Sequence, residues 1–221
     1  FKAGDARKYR MEASANYFWT RCKDNQFDDE SFQRIHGWSN PENIREHCGG
    51  DVRFIVMLRQ PTARAISAFY HHARRGRLPA DARLLMVGRR WGVIDKGFYD
   101  RCARRWFEVF PRENFLFLNF DDLRRHPTEL LERVFAFLEI APEIVPDIRR
   151  RSNAGDPLMR VGDHLALRPG SAEQRAGLRV YEEETLFLDR IYKDAVDFCE
   201  EALGRDLSPW RAPSLDSLLA L

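Results

Sequence analysis

Two short apolar runs constrain the fold of this chain more than any other feature. The first, FIVML at residues 54–58, ends on Arg59 and is followed by Pro61 and by apolar residues at helical spacing. The second, FLFLNF at residues 115–120, precedes another helical pattern that opens near Pro127. Short apolar runs that alternate with helical patterns are typical of strands buried on both faces of a parallel sheet. The sequence therefore predicts an α/β layered domain.

The remaining pattern completes one such domain. Phe98, Cys102, Trp106 and Val109 recur at helical spacing before the second strand. We expect residues 149–169 to form a loop, and one long helix to run from about residue 171 to residue 203 and end at Gly204. With 221 residues, 44% of them hydrophobic, and no internal repeat, the chain fits a single domain over residues 1–221.

Composition excludes several classes of protein. The formal net charge of +2 is unlike the one-sided balance of nucleic-acid coats, so we expect no nucleic-acid partner. No apolar segment approaches the roughly 20 residues that cross a bilayer, and the first residues lack the apolar core of a signal peptide. Only five of the 36 basic residues are lysines, and arginine suits bidentate binding of phosphate, sulfate and carboxylate, although genome composition explains that bias equally well.

The cysteines and histidines show no metal-binding spacing. The four cysteines form no CxxC pair and the histidines no HxxxH pair, so we expect no metal site. Reduced thiols are expected, because a domain of this size does not need disulfide bonds for stability. One disulfide is the alternative. The cysteines are Cys22, Cys48, Cys102 and Cys199.

A candidate anion site follows the first strand. Open parallel sheets bind ligands beyond the carboxyl ends of their strands, where helix amino-termini also point their free N–H groups. Arg59 lies there, and Arg64 and Ser67 follow on the next helix, so these side chains are suited to a phosphate group. The alternative from the residues alone is an arginine paired with an acidic neighbour and a serine that faces solvent.

The pattern R-x-P-x-x-R-A-x-S-x-x-Y, from Arg59 to Tyr70, closely resembles the 3′-phosphate-binding segment of sulfotransferases that use 3′-phosphoadenosine 5′-phosphosulfate (PAPS). In that family the arginine and the serine hold the 3′-phosphate, so the resemblance assigns these roles to Arg59 and Ser67 and leaves that of Arg64 open. Three further segments are similar to the family in the same order: residues 9–19, 97–140 and 203–210. The resemblance implies a three-layer P-loop-like fold with a central parallel sheet flanked by helices, PAPS as donor, 3′-phosphoadenosine 5′-phosphate (PAP) as product, and no metal.

One part of the family pattern is not found. The short Gly-, Lys- and Ser/Thr-containing loop that cradles the 5′-phosphosulfate has no counterpart near the amino-terminus, where Lys2, Gly4 and Lys8 lack a preceding apolar strand. The strand before that loop would lie in the middle of the sheet, and its omission would leave two unpaired strand edges. We therefore expect the natural protein to contain this segment.

Sulfuryl transfer requires a general base and cationic groups that stabilise the leaving phosphate. Glu12, just ahead of an aromatic pair at what should be the end of a strand, is the candidate base, with a surface or capping carboxylate as the alternative. The resemblance places residues 149–161 over the donor, with Arg151 and Asn153 as candidate ligands. The alternative is that these residues form an exposed arginine-rich loop. His71 and His72 are adjacent on the helix predicted after Pro61, so one of them should face solvent. A structural role is expected for the pair rather than catalysis.

The sequence is compatible with three functions. The first is a PAPS-dependent sulfotransferase that acts on a hydroxyl or amine of a glycan or small molecule. The others are a P-loop kinase of a small substrate, disfavoured because no Walker loop is found, and a noncatalytic interaction domain that retains the fold. The acceptor is not identified, although three tryptophans and the arginine-rich residues 74–90 suit a sugar, an anionic polymer or a protein: Trp19, Trp38 and Trp91. A cytoplasmic location is favoured over the Golgi lumen, and the oligomeric state stays open.

Overall fold

The computed structural model describes residues 11–13, 17–20, 40–87, 90–141, 157–168 and 177–220. Its strands are β1 (Phe54–Leu58), β2 (Phe115–Asn119), β3 (Leu158–Val161), β4 (His164–Leu167) and β5 (Arg179–Tyr181). Its helices are α1 (Asn40–Cys48), α2 (Pro61–Arg74), α3 (Leu84–Val87), α4 (Tyr99–Phe107), α5 (Asp122–Arg125), α6 (Pro127–Leu138), α7 (Glu182–Ile191), α8 (Lys193–Leu203) and α9 (Leu215–Ala220). Short 3-10 turns cover Arg90–Gly92, Asp95–Gly97, Arg112–Asn114 and Ser208–Trp210.

The two apolar runs form a parallel pair. β1 and β2 lie in register, with Val56 opposite Phe117. Phe54 stacks on Phe115 with ring centroids 4.7 Å apart, and meets Trp106 of α4 edge-on at 4.9 Å. α8 packs against both α4 and β2. Parallel strands covered by helices confirm the predicted α/β fold class.

Helix α2 begins directly after β1, as predicted. Pro61 occupies its first turn, where a missing N–H costs nothing, and Gln60 caps that turn with its side chain. The inner face of α2 buries Ile66, Phe69 and Tyr70. The Tyr70 hydroxyl donates a hydrogen bond to the Leu165 carbonyl at 3.0 Å, which ties α2 to β4.

One expectation about the first strand is wrong for the residues described. Val56 and Leu58 are buried, but Ile55 and Met57 on the opposite face are 40% and 39% exposed, so the described residues cover only one face of β1. An apolar sequence makes burial of either face of β1 favourable, but the residues that pack on a face must come from other elements of the fold. β1 and β2 pair directly with each other, and the expectation that the natural protein contains a further strand before them stays a prediction.

The predicted loop over residues 149–169 contains two strands. β3 and β4 form an antiparallel hairpin whose turn includes Gly162 at φ 60°, a left-handed conformation that favours glycine. β5 adds to β4 in the antiparallel sense, with Val180 opposite Leu165. The prediction was wrong here because strands of three or four residues carry too little periodicity to be distinguished from a loop.

The predicted long helix is interrupted. Where the structure describes this segment, Tyr181 is extended, and α7 begins after it because the Glu184 carboxylate accepts a hydrogen bond from the Tyr181 N–H at 3.0 Å. A second break at Tyr192 separates α7 from α8; its fully buried ring reaches the Ile94 carbonyl, to which the hydroxyl donates at 2.7 Å. α8 ends at Gly204 with φ 63°, which confirms the predicted stop.

Cys48, Cys102 and Cys199 are free thiols in the described part of the chain. None of the helices described there has the length and apolar character to cross a bilayer. The same residues contain no group of three or more His, Cys, Asp or Glu side chains arranged to hold a metal ion.

Candidate anion-binding site

The ends of both parallel strands meet at one edge of the sheet. Arg59 follows β1, and Phe120 and Asp121 follow β2. The guanidinium carbon of Arg59 lies 5.1 Å from the centroid of the Phe120 ring, a cation–π contact that holds the side chain at this edge. The Phe120 N–H donates to the Leu58 carbonyl at 2.7 Å, which extends the pairing to this point.

The Arg59 guanidinium has capacity for a further ligand. Its side chain is half-buried, and its Nε is buried without a hydrogen-bond partner among the described residues. Burial lowers the pKa of Arg59, and the nearby Asp121 carboxylate opposes that effect. An unpaired N–H of a buried cation is costly unless an acceptor is supplied, so this geometry favours an anionic ligand.

Asp121 faces the same site. It is 5% exposed, and burial raises the pKa of its carboxyl against the opposing attraction of Arg125, Arg59 and Arg124. The next residue, Asp122, has a structural role, because it begins α5 and accepts hydrogen bonds from Arg205 at 2.9 and 3.1 Å.

On α2, the two predicted site residues have different surroundings. Ser67 is exposed, as a hydroxyl that binds a ligand must be. Arg64 instead donates a hydrogen bond to the Val93 carbonyl, which joins α2 to the turn before Asp95–Gly97. Its Nε is buried and has no partner within the described ranges.

Lys96 is a residue that the sequence reasoning missed. Its ammonium lies 5.7 Å from the centroid of the Trp19 ring, and burial, with a smaller contribution from Arg64, lowers its pKa to about 8. Burial of an ammonium beside an arginine is unusual, since both effects oppose its charge. The signal in the sequence was a lysine directly before Gly97, in a chain with only five lysines.

Glu12 lies in a stretch with no regular structure. Residues 11–13 and 17–20 form no strand, so the expectation that Glu12 ends one is wrong for the residues described. Its exposed carboxylate accepts a hydrogen bond from the Tyr17 hydroxyl, which raises the pKa of Tyr17. The segment after it is fixed: Asn40 donates to the Tyr17 and Trp19 carbonyls at 3.2 and 3.3 Å.

The two histidines of α2 divide as expected. His71 is exposed, whereas His72 is 9% exposed and stacks on Trp91 with ring centroids 4.5 Å apart. Burial, with Arg77 as the next cause, lowers the pKa of His72 to about 4, and its Nδ1 lies 3.0 Å from a guanidinium nitrogen of Arg77. His72 is therefore a neutral acceptor for Arg77, which is a structural role.

The structure brings Arg59, Asp121 and Phe120 together at the strand ends, with Ser67 on the helix that follows. Arg151, Asn153 and Trp38 lie outside the described residues. The geometry provides a partly desolvated guanidinium at the carboxyl edge of a parallel sheet, which is the position where such folds bind phosphate groups.

Comparison with known proteins supports this interpretation. The family model described as "Sulfotransferase domain" matches residues 20–155. The mouse protein heparan sulfate glucosamine 3-O-sulfotransferase 6 is 29% identical over 135 residues, which are 58% of this chain and 34% of the relative. Mouse heparan sulfate glucosamine 3-O-sulfotransferase 5 is 25% identical over 115 residues, 47% of this chain and 33% of the relative. The chain thus spans about a third of the length of these curated relatives.

The fold also has a solved counterpart. The crystal structure of a sulfotransferase from Alicyclobacillus acidocaldarius aligns with a TM-score of 0.53 and 20% sequence identity, and the match covers 84% of this chain and 74% of the other. That similarity concerns the fold alone, while the family model covers more than half of the sequence. The chain therefore belongs to the sulfotransferase domain family.

Proposed function

We propose that the protein transfers a sulfuryl group from PAPS to a hydroxyl or amine of a glycan or small-molecule acceptor. The observation that carries this proposal is Arg59: it lies at the carboxyl edge of β1, half-buried, with an Nε that has no hydrogen-bond partner among the described residues. The names of the relatives, which are heparan sulfate glucosamine 3-O-sulfotransferases, support a glycan as the acceptor.

The residues of this chain would bind the donor and move one proton. Arg59 and Ser67 hold the 3′-phosphate, and Arg151 and Asn153 are further candidate ligands of the donor. PAPS supplies an activated sulfuryl group, so that an acceptor O–S or N–S bond forms as the S–O bond to the phosphate breaks. Glu12 takes the acceptor proton, and Lys96 adds a cation next to Arg64.

The test is a calorimetric titration of PAP into the longest natural form of the protein and into its Arg59→Ala variant. ATP and AMP serve as ligand controls, because neither carries a 3′-phosphate. Arg104→Ala is the matched protein control, since Arg104 is an exposed arginine on α4 that pairs with Asp100. Loss of a buried, charge-assisted phosphate contact should weaken PAP binding by about thirtyfold or more in Arg59→Ala alone.

Two results would contradict the proposal. PAP that binds no more tightly than AMP would show that the site does not recognise a 3′-phosphate, and would favour a noncatalytic domain. Wild-type affinity in a folded Arg59→Ala variant would place the phosphate site elsewhere. Tight, Arg59-dependent binding would justify a screen of glycan acceptors.

A further inference from the structure

Hydrogen bonds from buried polar groups fix the turn that carries Arg59. Gln60 is 1% exposed; its side-chain oxygen accepts a hydrogen bond from the Ala63 N–H at 2.6 Å, and its amide donates to the Trp210 carbonyl at 3.1 Å. The Arg59 carbonyl accepts a hydrogen bond from the Tyr99 hydroxyl at 3.0 Å. The direction in which the guanidinium leaves the sheet therefore depends on this first turn of α2.

The next contact comes from a different helix. Thr62 is fully buried, and its hydroxyl donates a hydrogen bond to Asp189 Oδ1 on α7 at 2.5 Å. The acceptor is a carboxylate oxygen, and hydrogen bonds to ionised acceptors are stronger than those between neutral groups. This hydrogen bond connects residues 127 positions apart in sequence, so it fixes the first turn of α2 against the carboxyl-terminal half of the chain.

An aspartate at position 189 costs free energy of folding. Its second oxygen, Oδ2, is buried and has no hydrogen-bond partner in the described part of the chain. Burial raises the pKa of the carboxyl to about 6, and hydrogen bonds from the side chains of Thr62 and Gln60 oppose that effect only in part. A half-buried carboxylate with one oxygen that lacks a partner in the described part of the chain opposes folding at neutral pH, which points to a role other than stability.

We infer that Asp189 is a positioning residue for the donor site, and that it acts through its hydrogen bond to Thr62, which orients the first turn of α2 and thereby Arg59. The inference rests on the proposed function, in which Arg59 binds the 3′-phosphate. Asp189 does not touch the phosphate; it restricts the turn so that the guanidinium is already oriented when the ligand arrives, which reduces the ordering cost of binding.

Four variants of the full protein separate this role from a general effect on folding. Asp189→Leu removes the acceptor, and Thr62→Val removes the donor without a change of charge or shape. Asp189→Asn retains an oxygen that accepts from Thr62 and serves as the conservative rescue. Asp194→Asn is the control, because Asp194 is an exposed aspartate on the neighbouring helix α8.

The first readout is the dissociation constant of PAP for folded protein at pH 7.5. Asp189→Leu and Thr62→Val should each bind PAP about tenfold more weakly, the size expected for loss of one buried hydrogen bond. Asp189→Asn should stay within about threefold of wild type, and Asp194→Asn should not differ from it. Wild-type affinity in Thr62→Val, or in a folded Asp189→Leu variant, would overturn the inference.

The second readout needs no ligand. Amide hydrogen exchange at Ala63 and Arg64, the first hydrogen-bonded positions of α2, should be faster in Asp189→Leu and Thr62→Val than in Asp189→Asn or wild type. If wild-type protein does not bind PAP, the proposed donor site fails, and the exchange rates still decide whether Asp189 orders the turn. If wild type binds PAP and all variants bind equally, the positioning role fails alone.

Discussion

Replacement of Asp189 by asparagine should stabilise the protein at neutral pH and have little effect near pH 4. Burial raises the pKa of this carboxyl from 3.8 to about 6. The folded state therefore binds the proton more tightly than the unfolded state, so the contribution of Asp189 to stability is fully present below about pH 4. It is lost as the pH rises through about 6.

The size of the effect follows from the shift. About two pKa units correspond to about 3 kcal/mol, but Asp189 is only half-buried and solvent screening reduces this to about 1–2 kcal/mol. Asparagine cannot ionise and still accepts the hydrogen bond from Thr62, so it avoids this loss at pH 7.5. For a domain of this size, that gain corresponds to a rise in Tm of about 2–8 °C.

The assay is urea or thermal unfolding of wild type and Asp189→Asn at pH 4, 5, 6 and 7.5. The difference in the free energy of unfolding should grow through this range and level off above about pH 7. Asp194→Asn, which removes an exposed carboxylate from α8, should show no such pH-dependent gain. A difference that is constant with pH, or a variant less stable than wild type at pH 7.5, would refute the reasoning.

Two further substitutions test the packing around the site. Gly97→Ala should lower the free energy of unfolding by about 1–3 kcal/mol, because the added Cβ would lie 2.6 Å from ring carbons of the fully buried Tyr192; an unchanged Tm would show that the ring moves freely. Tyr70→Phe should cost about 1–2 kcal/mol, because it removes the buried hydrogen bond to the Leu165 carbonyl. Tyr17→Phe, at an exposed hydroxyl, is its control, and equal stability of both variants would contradict this account.

The strands and helices around Arg59 were predictable because their signals are local. β1 and β2 are continuous apolar runs, and α2 shows helical spacing behind a proline. The short strands β3 to β5 and the break at Tyr192 were not predictable. Their position depends on contacts with distant residues, such as the bond from the Tyr192 hydroxyl to the Ile94 carbonyl, 98 positions away.

The candidate site was predicted in part. Arg59 and Ser67 followed from one contiguous pattern, and their assignment to a 3′-phosphate stays a proposal. Lys96 was missed because no local pattern distinguishes it, and the sequence did not show that Asp121 lies near Arg59. Arg64 on α2 lowers the pKa of Lys96, and Arg59 after β1 opposes the rise in the pKa of Asp121, so both effects come from other elements of the fold.

By itself, the sequence determined the fold class, the strand–turn–helix unit around Arg59 and the family, since all three are written in short stretches of chain. Only the tertiary structure decided which face of β1 is covered, that β1 pairs directly with β2, and that Asp189 meets Thr62. The physical reason is that burial and hydrogen bonding depend on what lies opposite a residue. For a site at the ends of parallel strands, the opposite groups come from distant parts of the chain.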